Sequence, residues 1–360
     1  MKKSIQIAGA FIGLIVGAGF ASGQEVLQFF TSFGWAGVAG SAVATFLFAF
    51  FGMNLSQLGS RLQTTSHKKV IYHICGKYLG IAVDVIMTFF LFGVTVVMFA
   101  GAGSIFEQQF GVPGIAGNIL LALITIFVVC LNIQKIISAM GIVTPFLVLA
   151  VIMIAIYSLS TMDGTFAQMQ ETAHSLKPAA SNWVLGSFLY VSYNIAAGAA
   201  MLAVMGGTVK DEKTAGWGGI MGGIGLGLLI FLINIGMFAK LDTISGVDMP
   251  MLYLANEISP IFGAIFAIVL LGMIFNTAVG MLYAFTARIA NTDTPRFKLL
   301  VIICGIAAFG ASFIGFITLV GTVYPAMGYL GFTLIAAIVV AWFRSKQTPK
   351  DQDADIPASK

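Results

Sequence analysis

Charged residues are scarce in this sequence. Only 9% of the 360 residues are Asp, Glu, Lys or Arg, whereas soluble domains carry about 25%. So few charges cannot cover a water-soluble surface of this size, which excludes a soluble globular protein. The net charge of +4 is too small to indicate nucleic acid binding, so we expect no nucleic acid partner.

Cysteine and histidine are also rare, with three of each. Cys75, Cys130 and Cys304 lie far apart and form no CxxC or Cys/His cluster, so we expect free thiols and no metal site beyond a sodium ion. No HExxH, GxSxG or P-loop pattern occurs, and the GAGFASG run follows no β-strand. The sequence therefore predicts no enzyme, no catalytic residue and no cofactor.

Long apolar runs fill most of the chain, and 59% of its residues are hydrophobic. A helix needs about 20 apolar residues to cross the hydrocarbon core of a bilayer. Ten stretches qualify, which predicts an all-α integral membrane protein with about ten transmembrane helices. The stretches are roughly 5–30, 36–60, 80–106, 114–133, 139–160, 183–206, 216–240, 259–287, 298–318 and 322–343.

The positive residues lie mostly on one side of these spans. With the N-terminus inside the cell, 16 of the 18 Lys and Arg residues fall in inner segments, and only Lys177 and Lys240 fall in outer loops. This asymmetry follows the positive-inside rule. It predicts a multi-pass protein with both termini in the cytoplasm, and a polar, disordered tail over residues 345–360.

The longest outer loop, residues 161–182, divides the chain into two halves of five spans each. Residues 1–160 form the first half and residues 183–344 the second. Because five is odd, the second half enters the membrane in the opposite sense, as an inverted-topology repeat does. A short polar segment follows the second span of each half, at residues 66–78 and 245–257, and we expect the part of the second near Asp248–Glu257 to act as an outer lid.

The first span carries a glycine-rich run, GAGFASGQE, from Gly17 to Glu25. Gly17 lies about 18 Å into the span, near the bilayer midplane, and glycine weakens a helix. The run therefore predicts an interrupted helix. The alternative is close packing along Gly9, Gly13 and Gly17, which repeat every four residues. The glycines of the seventh span predict close helix packing.

The sixth span opens the second half and carries polar Tyr193 and Asn194 about ten residues from its start. Interrupted helices at corresponding places in two halves indicate the substrate site of a transporter, where amides at the broken ends hold anions and carbonyls hold cations. The predicted substrate-binding residues are Gly17, Ala18, Gly19, Ser22, Gly23, Glu25, Tyr193, Asn194, Ala197 and Gly198.

Two other polar features of the spans admit alternatives. Glu25 either faces a cavity, where it binds a substrate amine or carries a coupling proton, or lies near the outer surface and is solvated. Asn276 and Thr277 in the eighth span offer oxygen ligands for a hard cation such as sodium, or they form hydrogen bonds between helices.

The run from Gly17 to Glu25, together with the five-plus-five plan, resembles the YkvI family of bacterial membrane proteins, which looks like a branch of the amino acid–polyamine–organocation superfamily with the LeuT fold. The resemblance implies a central site between the first and sixth spans, where the amides of Ala18 and Gly19 meet a substrate carboxylate. It implies a sodium site at Gly13, Val16, Asn276 and Thr277. Leu14 replaces the asparagine of a second sodium site, which we expect to be absent.

These features predict a secondary active transporter in the bacterial plasma membrane. It would move a small polar solute, an amino acid or related amine, by alternating access coupled to sodium or protons. The alternative is a ligand-sensing receptor that kept the fold but does not transport. For the transporter, the expected partners are the solute and the lipid bilayer. The sequence leaves the oligomeric state open.

Overall fold

The computed structural model describes residues 2–63, 67–131, 140–162, 164–292 and 294–347, which form helices joined by turns and short irregular segments. The predicted loop near Lys135 and the chain beyond residue 347 lie outside the described residues. The helices are α1 (Lys2–Ile15), α2 (Ala18–Ser22), α3 (Gln24–Phe29), α4 (Trp35–Leu62), α5 (His67–Phe110), α6 (Gly114–Cys130), α7 (Met140–Ser160), α8 (Phe166–Ser175), α9 (Trp183–Gly207), α10 (Glu212–Phe238), α11 (Leu241–Ile244), α12 (Pro250–Ile258), α13 (Pro260–Ile289), α14 (Pro295–Ser312) and α15 (Phe316–Gln347).

Six helices of the described chain are long and apolar enough to cross a membrane, and the bent α9 makes a seventh. The six are α4, the part of α5 from Val83 to Phe110, α10, α13, α14 and α15. The ten-span plan also needs the shorter apolar helices α6 and α7 and the broken first span. The protein is therefore an all-helical, multi-pass membrane protein, and the count of ten stays a prediction.

The spans pack in two groups. Helices α4, α9 and α10 pack together with α1, while α5, α6, α13 and α14 pack against one another. In the numbering of the predicted ten spans, the first group corresponds to spans one, two, six and seven, and the second to spans three, four, eight and nine. The two groups meet where α2 contacts α5 and α13, and where α15 contacts α5 and α9.

Glycines of α10 allow two neighbouring helices to approach closely. A Cβ atom on Gly219 would collide with the backbone carbonyl of Gly52 on α4, and one on Gly222 would meet Phe11 of α1 at 2.7 Å. The packing predicted for the glycines of span seven is therefore confirmed, at Gly218, Gly219, Gly222, Gly223, Gly225 and Gly227. By contrast, open space lies beside Gly9, and Gly17 has only the Ile15 carbonyl oxygen nearby, at 3.9 Å.

Two boundaries differ from the predicted ones, and the predicted outer loop contains a helix. Helix α14 ends at Ser312 and α15 begins at Phe316, several residues before the predicted gap, because Gly315 with φ of 94° ends the helical path. Helix α15 continues to Gln347, so the first residues of the predicted tail are helical. The outer loop contains α8, which begins at a capping box formed by Thr165 and Gln168.

Candidate functional site

The first span is broken at the predicted place. Helix α1 ends at Ile15, and the N–H of Gly17 turns back to the carbonyl of Ile15 at 2.8 Å instead of continuing the helix. A second break follows at Gly23, whose left-handed φ of 83° joins α2 to α3. Within the described chain, no hydrogen bond reaches the N–H groups of Ala18 or Gly19. The break therefore leaves backbone donors near the middle of the span.

The side chain of Ser22 stabilises the backbone at the second break. Its hydroxyl donates to the carbonyl of Gly19 at 2.7 Å and accepts from the N–H of Gln24 at 3.2 Å. The side chain is fully buried. Its hydrogen bonds thus serve the turn between α2 and α3.

Glu25 lies in the first turn of α3 and points back at α2. The side chain is 6% exposed, so the alternative of a solvated surface residue is wrong. One carboxylate oxygen occupies the space where a Cβ atom of Gly19 would stand. A side chain at Gly19 would therefore displace Glu25.

Three tyrosines surround this carboxylate. The hydroxyl of Tyr193 donates to Oε2 of Glu25 at 2.5 Å, and the hydroxyls of Tyr190 and Tyr324 also face Glu25. The rings of Tyr193 and Tyr324 stack with centroids 5.0 Å apart, and Tyr190 meets Tyr193 edge-on at 5.4 Å. We call these residues the Glu25–tyrosine cluster, which joins α3, α9 and α15.

Sequence reasoning missed Tyr190 and Tyr324. A signal for Tyr324 was present, since Pro325 follows it inside α15 and a proline interior to a helix removes a backbone hydrogen bond. On the same helix, the carbonyl of Ile317 accepts a 3.0 Å hydrogen bond from Gln28 of α3. Helix α15 therefore contacts α3 at two places, through Tyr324 at Glu25 and through the carbonyl of Ile317 at Gln28.

The predicted interruption of span six takes the form of a bend. Helix α9 stays helical from Trp183 to Gly207 and changes direction by 54° between Ala199 and Met201. Asn194 donates to the carbonyl of Tyr190 in the same helix at 3.0 Å. Of the residues predicted on this span, only Tyr193 touches Glu25.

The two remaining residues of this span lie apart from the cluster. Ala197 is exposed, and Gly198 packs against Leu14 and Ile15 of α1. Gly198 therefore brings the bent helix close to the end of α1, beside the break.

The predicted sodium ligands lie on elements near the break. Val16 is buried within it, and α13, which carries Asn276 and Thr277, packs against α2. Asn276 is 9% exposed, and its Nδ2 has no partner in the described part of the chain. Gly13 and Thr277 are partly exposed. The sodium site remains a prediction.

The predicted lid lies over the second break. Proline at the first position of α12 starts this helix, and a Cβ atom on Gly23 would stand 2.7 Å from Met251 of α12. We call α12 the lid helix. Another residue of the lid helix, Asn256, donates a hydrogen bond to Gln109 of α5 at 2.7 Å.

The loop that leads into the lid helix is bonded to α5. Ser104 donates to Asp248 at 2.5 Å, and the side-chain amide of Gln108 forms two hydrogen bonds with the backbone of Met249, at 3.0 and 3.1 Å. At the far end of the lid, Lys240 and Glu257 lie 4.0 Å apart. These contacts fix the segment that contains the lid helix against its neighbours.

The broken first span, the bent sixth span and the two packed groups define the class of protein, which is an integral membrane protein of the LeuT fold. Mhp1 in its inward-facing conformation matches 96% of this chain and 77% of its own, with a TM-score of 0.65 and 13% identity. MhsT in complex with L-phenylalanine matches 95% of this chain and 97% of its own, with a TM-score of 0.57 and 16% identity.

A Na+-coupled sialic acid symporter in a substrate-bound, outward-open state also matches, with a TM-score of 0.58 and 14% identity over 93% of this chain and 78% of its own. At these identities the likeness establishes the fold.

Among curated proteins, two from Bacillus subtilis (strain 168) are homologues. The uncharacterized membrane protein YkvI is 27% identical over 337 residues, which cover 93% of this chain and 94% of YkvI. The uncharacterized protein YyaD is 27% identical over 339 residues, covering 93% and 96%. No family model matches the chain.

Proposed function

We propose that the chain is a secondary active transporter that moves a small polar solute, an amino acid or related amine, across the bacterial plasma membrane. The observation that carries the proposal is the break at Val16 and Gly17, with buried Glu25 beside it. Lipid tolerates broken backbone only where protein or a cavity receives the freed groups. In transporters, such broken spans form the substrate site.

The break offers partners for both charges of an amino acid. The free N–H groups of Ala18 and Gly19 would hold a carboxylate, since helix N-termini favour anions. Glu25 would either pair with the ammonium group or, as the alternative, carry a coupling proton, and Tyr193 donates a hydrogen bond to its carboxyl group. Gly17, Ser22 and Gly23 shape the backbone around the solute, while Gly198 brings α9 against α1.

Alternating access would arise from motion between the two groups of spans. The first and sixth spans would rock against α5, α6, α13 and α14, and the two halves, residues 1–160 and 183–344, would act as inverted repeats. The lid helix would open on the outer side, with both termini in the cytoplasm. The coupling ion would be sodium, at Gly13, Val16, Asn276 and Thr277, or a proton.

Reconstitution into proteoliposomes tests the proposal. We expect imposed sodium or pH gradients to drive uptake of at least one member of a panel of labelled amino acids and amines. Glu25→Gln should abolish this uptake, whereas Glu171→Gln, an exposed position on α8, should retain it. Absence of gradient-driven flux for the whole panel would contradict transport, and saturable binding without flux would favour the receptor.

A further inference from the structure

The Glu25 carboxylate has no cationic partner in the described part of the chain. The ion pairs found there join Arg61 to Glu212, Lys240 to Glu257 and Arg288 to Asp84. The groups that face Glu25 are tyrosine hydroxyls. A buried carboxylate without a cation is strongly disfavoured, and such a group takes up a proton instead.

The neighbouring elements explain why no charge compensates Glu25. Helix α9 presents Tyr190 and Tyr193, and α15 presents Tyr324. The lid helix and α10 place Met251 and Met237 against the adjacent Gly23. The charged residues of these two helices that form ion pairs lie at other places: Glu212 binds Arg61 and Glu257 binds Lys240.

We propose that Glu25 is the binding site of the coupling proton: its carboxyl group is protonated while the lid helix covers the break and ionised when the lid opens to water. The proposal rests on the proposed transport function and names its coupling ion. Tyrosine hydroxyls suit both states because a hydroxyl can donate or accept. Tyr193 donates to Oε2, and the buried hydroxyl of Tyr190, which faces Glu25, can accept the proton of a neutral Glu25.

The lid links protonation to conformation. Met251 packs directly on Gly23, two residues before Glu25 in the chain. When the lid helix leaves, water reaches this turn and solvates the ionised carboxylate. Closure removes that water, so the closed state favours the protonated form. An outer pH below the inner pH would then drive the cycle in one direction.

Infrared spectroscopy of the full chain in lipid nanodiscs tests the proposal without a known solute. The wild type should show the carbonyl band of a protonated carboxylic acid, and this band should disappear as the pH is raised. The Glu25→Gln variant should lack the band, while the exposed control Glu171→Gln should keep it. Replacement of sodium by choline at constant pH should leave the band unchanged.

Two results would overturn the proposal. One is a carbonyl band that changes with pH in the same way in the wild type and in Glu25→Gln. The other is loss of the band on addition of sodium at constant pH, which would make sodium the ion at Glu25. If Glu25→Gln does not fold, Tyr193→Phe serves instead. Loss of its hydrogen bond to the carboxylate should move the midpoint of the band to higher pH by about one unit or more, and an unchanged midpoint would also overturn the proposal.

Flux measurements separate this inference from the proposed function. A titrating Glu25 band together with no flux for any solute would leave the proton site standing and reject transport. Flux that a sodium gradient alone drives, with Glu25 ionised at every pH tested, would keep the transporter and reject the proton site.

Discussion

The hydroxyl of Tyr193 donates a 2.5 Å hydrogen bond to Oε2 of Glu25, across 168 positions of the chain. Glu25 lies on α3, within the broken first span, and Tyr193 lies on the bent helix α9. Both are buried, so the bond forms in a region from which water is excluded. It therefore ties the two spans together at the site where the first span is broken.

Removal of this bond should weaken transport. Hydrogen bonds to charged groups contribute roughly 1.5–3 kcal/mol, so we expect Tyr193→Phe to lower the kcat/KM of solute uptake about tenfold or more. The matched control is Tyr329→Phe, on a side chain that is 52% exposed. Wild-type uptake by Tyr193→Phe in proteoliposomes would contradict a role for this bond.

A methyl group at Gly19 should displace Glu25. The Cβ atom of Gly19→Ala would collide with the carboxylate of Glu25. The carboxylate must then move away from the tyrosine hydroxyls. We expect solute uptake to fall at least tenfold, about 1.4 kcal/mol, while the protein still folds. Gly9→Ala is the control because open space lies beside Gly9. Equal uptake by the two variants would count against the observed position of Glu25.

The hydrogen bonds of Gln108 to Met249 should keep the lid closed. Ser22 is fully buried and precedes Gly23, which the lid helix contacts. Chemical labelling of a cysteine at position 22 therefore measures opening of the lid. With Ser22→Cys, we expect Gln108→Ala to speed labelling by a membrane-impermeant thiol reagent severalfold, and the exposed Gln6→Ala to have no effect. The native cysteines are first replaced by alanine, at Cys75, Cys130 and Cys304. Unchanged labelling would indicate that other contacts hold the lid.

Close packing of α10 on α4 should make Gly219 sensitive to substitution. A Cβ atom there collides with backbone of Gly52, and backbone cannot rotate away as a side chain can. Overpacking costs about 1–3 kcal/mol, so Gly219→Ala should lower the melting temperature in detergent. Gly272→Ala on α13 has open space beside it and should not. A Gly219→Ala variant as stable as the wild type would contradict the close approach.

The first turn of α10 should become less stable at acid pH. The Thr214 hydroxyl and N–H both donate to Asp211 and lower the pKa of its carboxyl group. The stabilisation is therefore complete above the usual pKa of about 3.9 and is lost as pH falls through the lower, folded value. Hydrogen exchange in the first turn of α10 should accelerate over that range. Asp211→Asn does not titrate, so its exchange should lack this added pH dependence.

The membrane class and the break in the first span could be predicted because each depends on local composition. Long apolar runs identify membrane helices wherever they pack, and glycines from Gly17 to Gly23 weaken a helix in any surroundings. The same reasoning found the packing face of α10. It failed at Gly315, because one glycine between two apolar runs looks much like the many helical glycines of this chain.

The composition of the site depended on contacts between distant segments. In the sequence, Tyr190 resembles any residue of an apolar span and Tyr324 is marked only by the proline that follows it. Only the packing of α9 and α15 on α3 brings their hydroxyls to Glu25. Sequence reasoning also left Glu25 undecided between solvent and interior. Its burial follows in part from its contacts with Gly19 and Tyr193, which lie on two other helices.

The sequence by itself determined that the chain belongs in a bilayer and indicated an interruption in its first span, because hydropathy and helix propensity are properties of consecutive residues. Only the tertiary structure decided which polar groups meet at the break. Side chains far apart in the chain come together through helix packing, and spacing along the sequence does not encode that geometry.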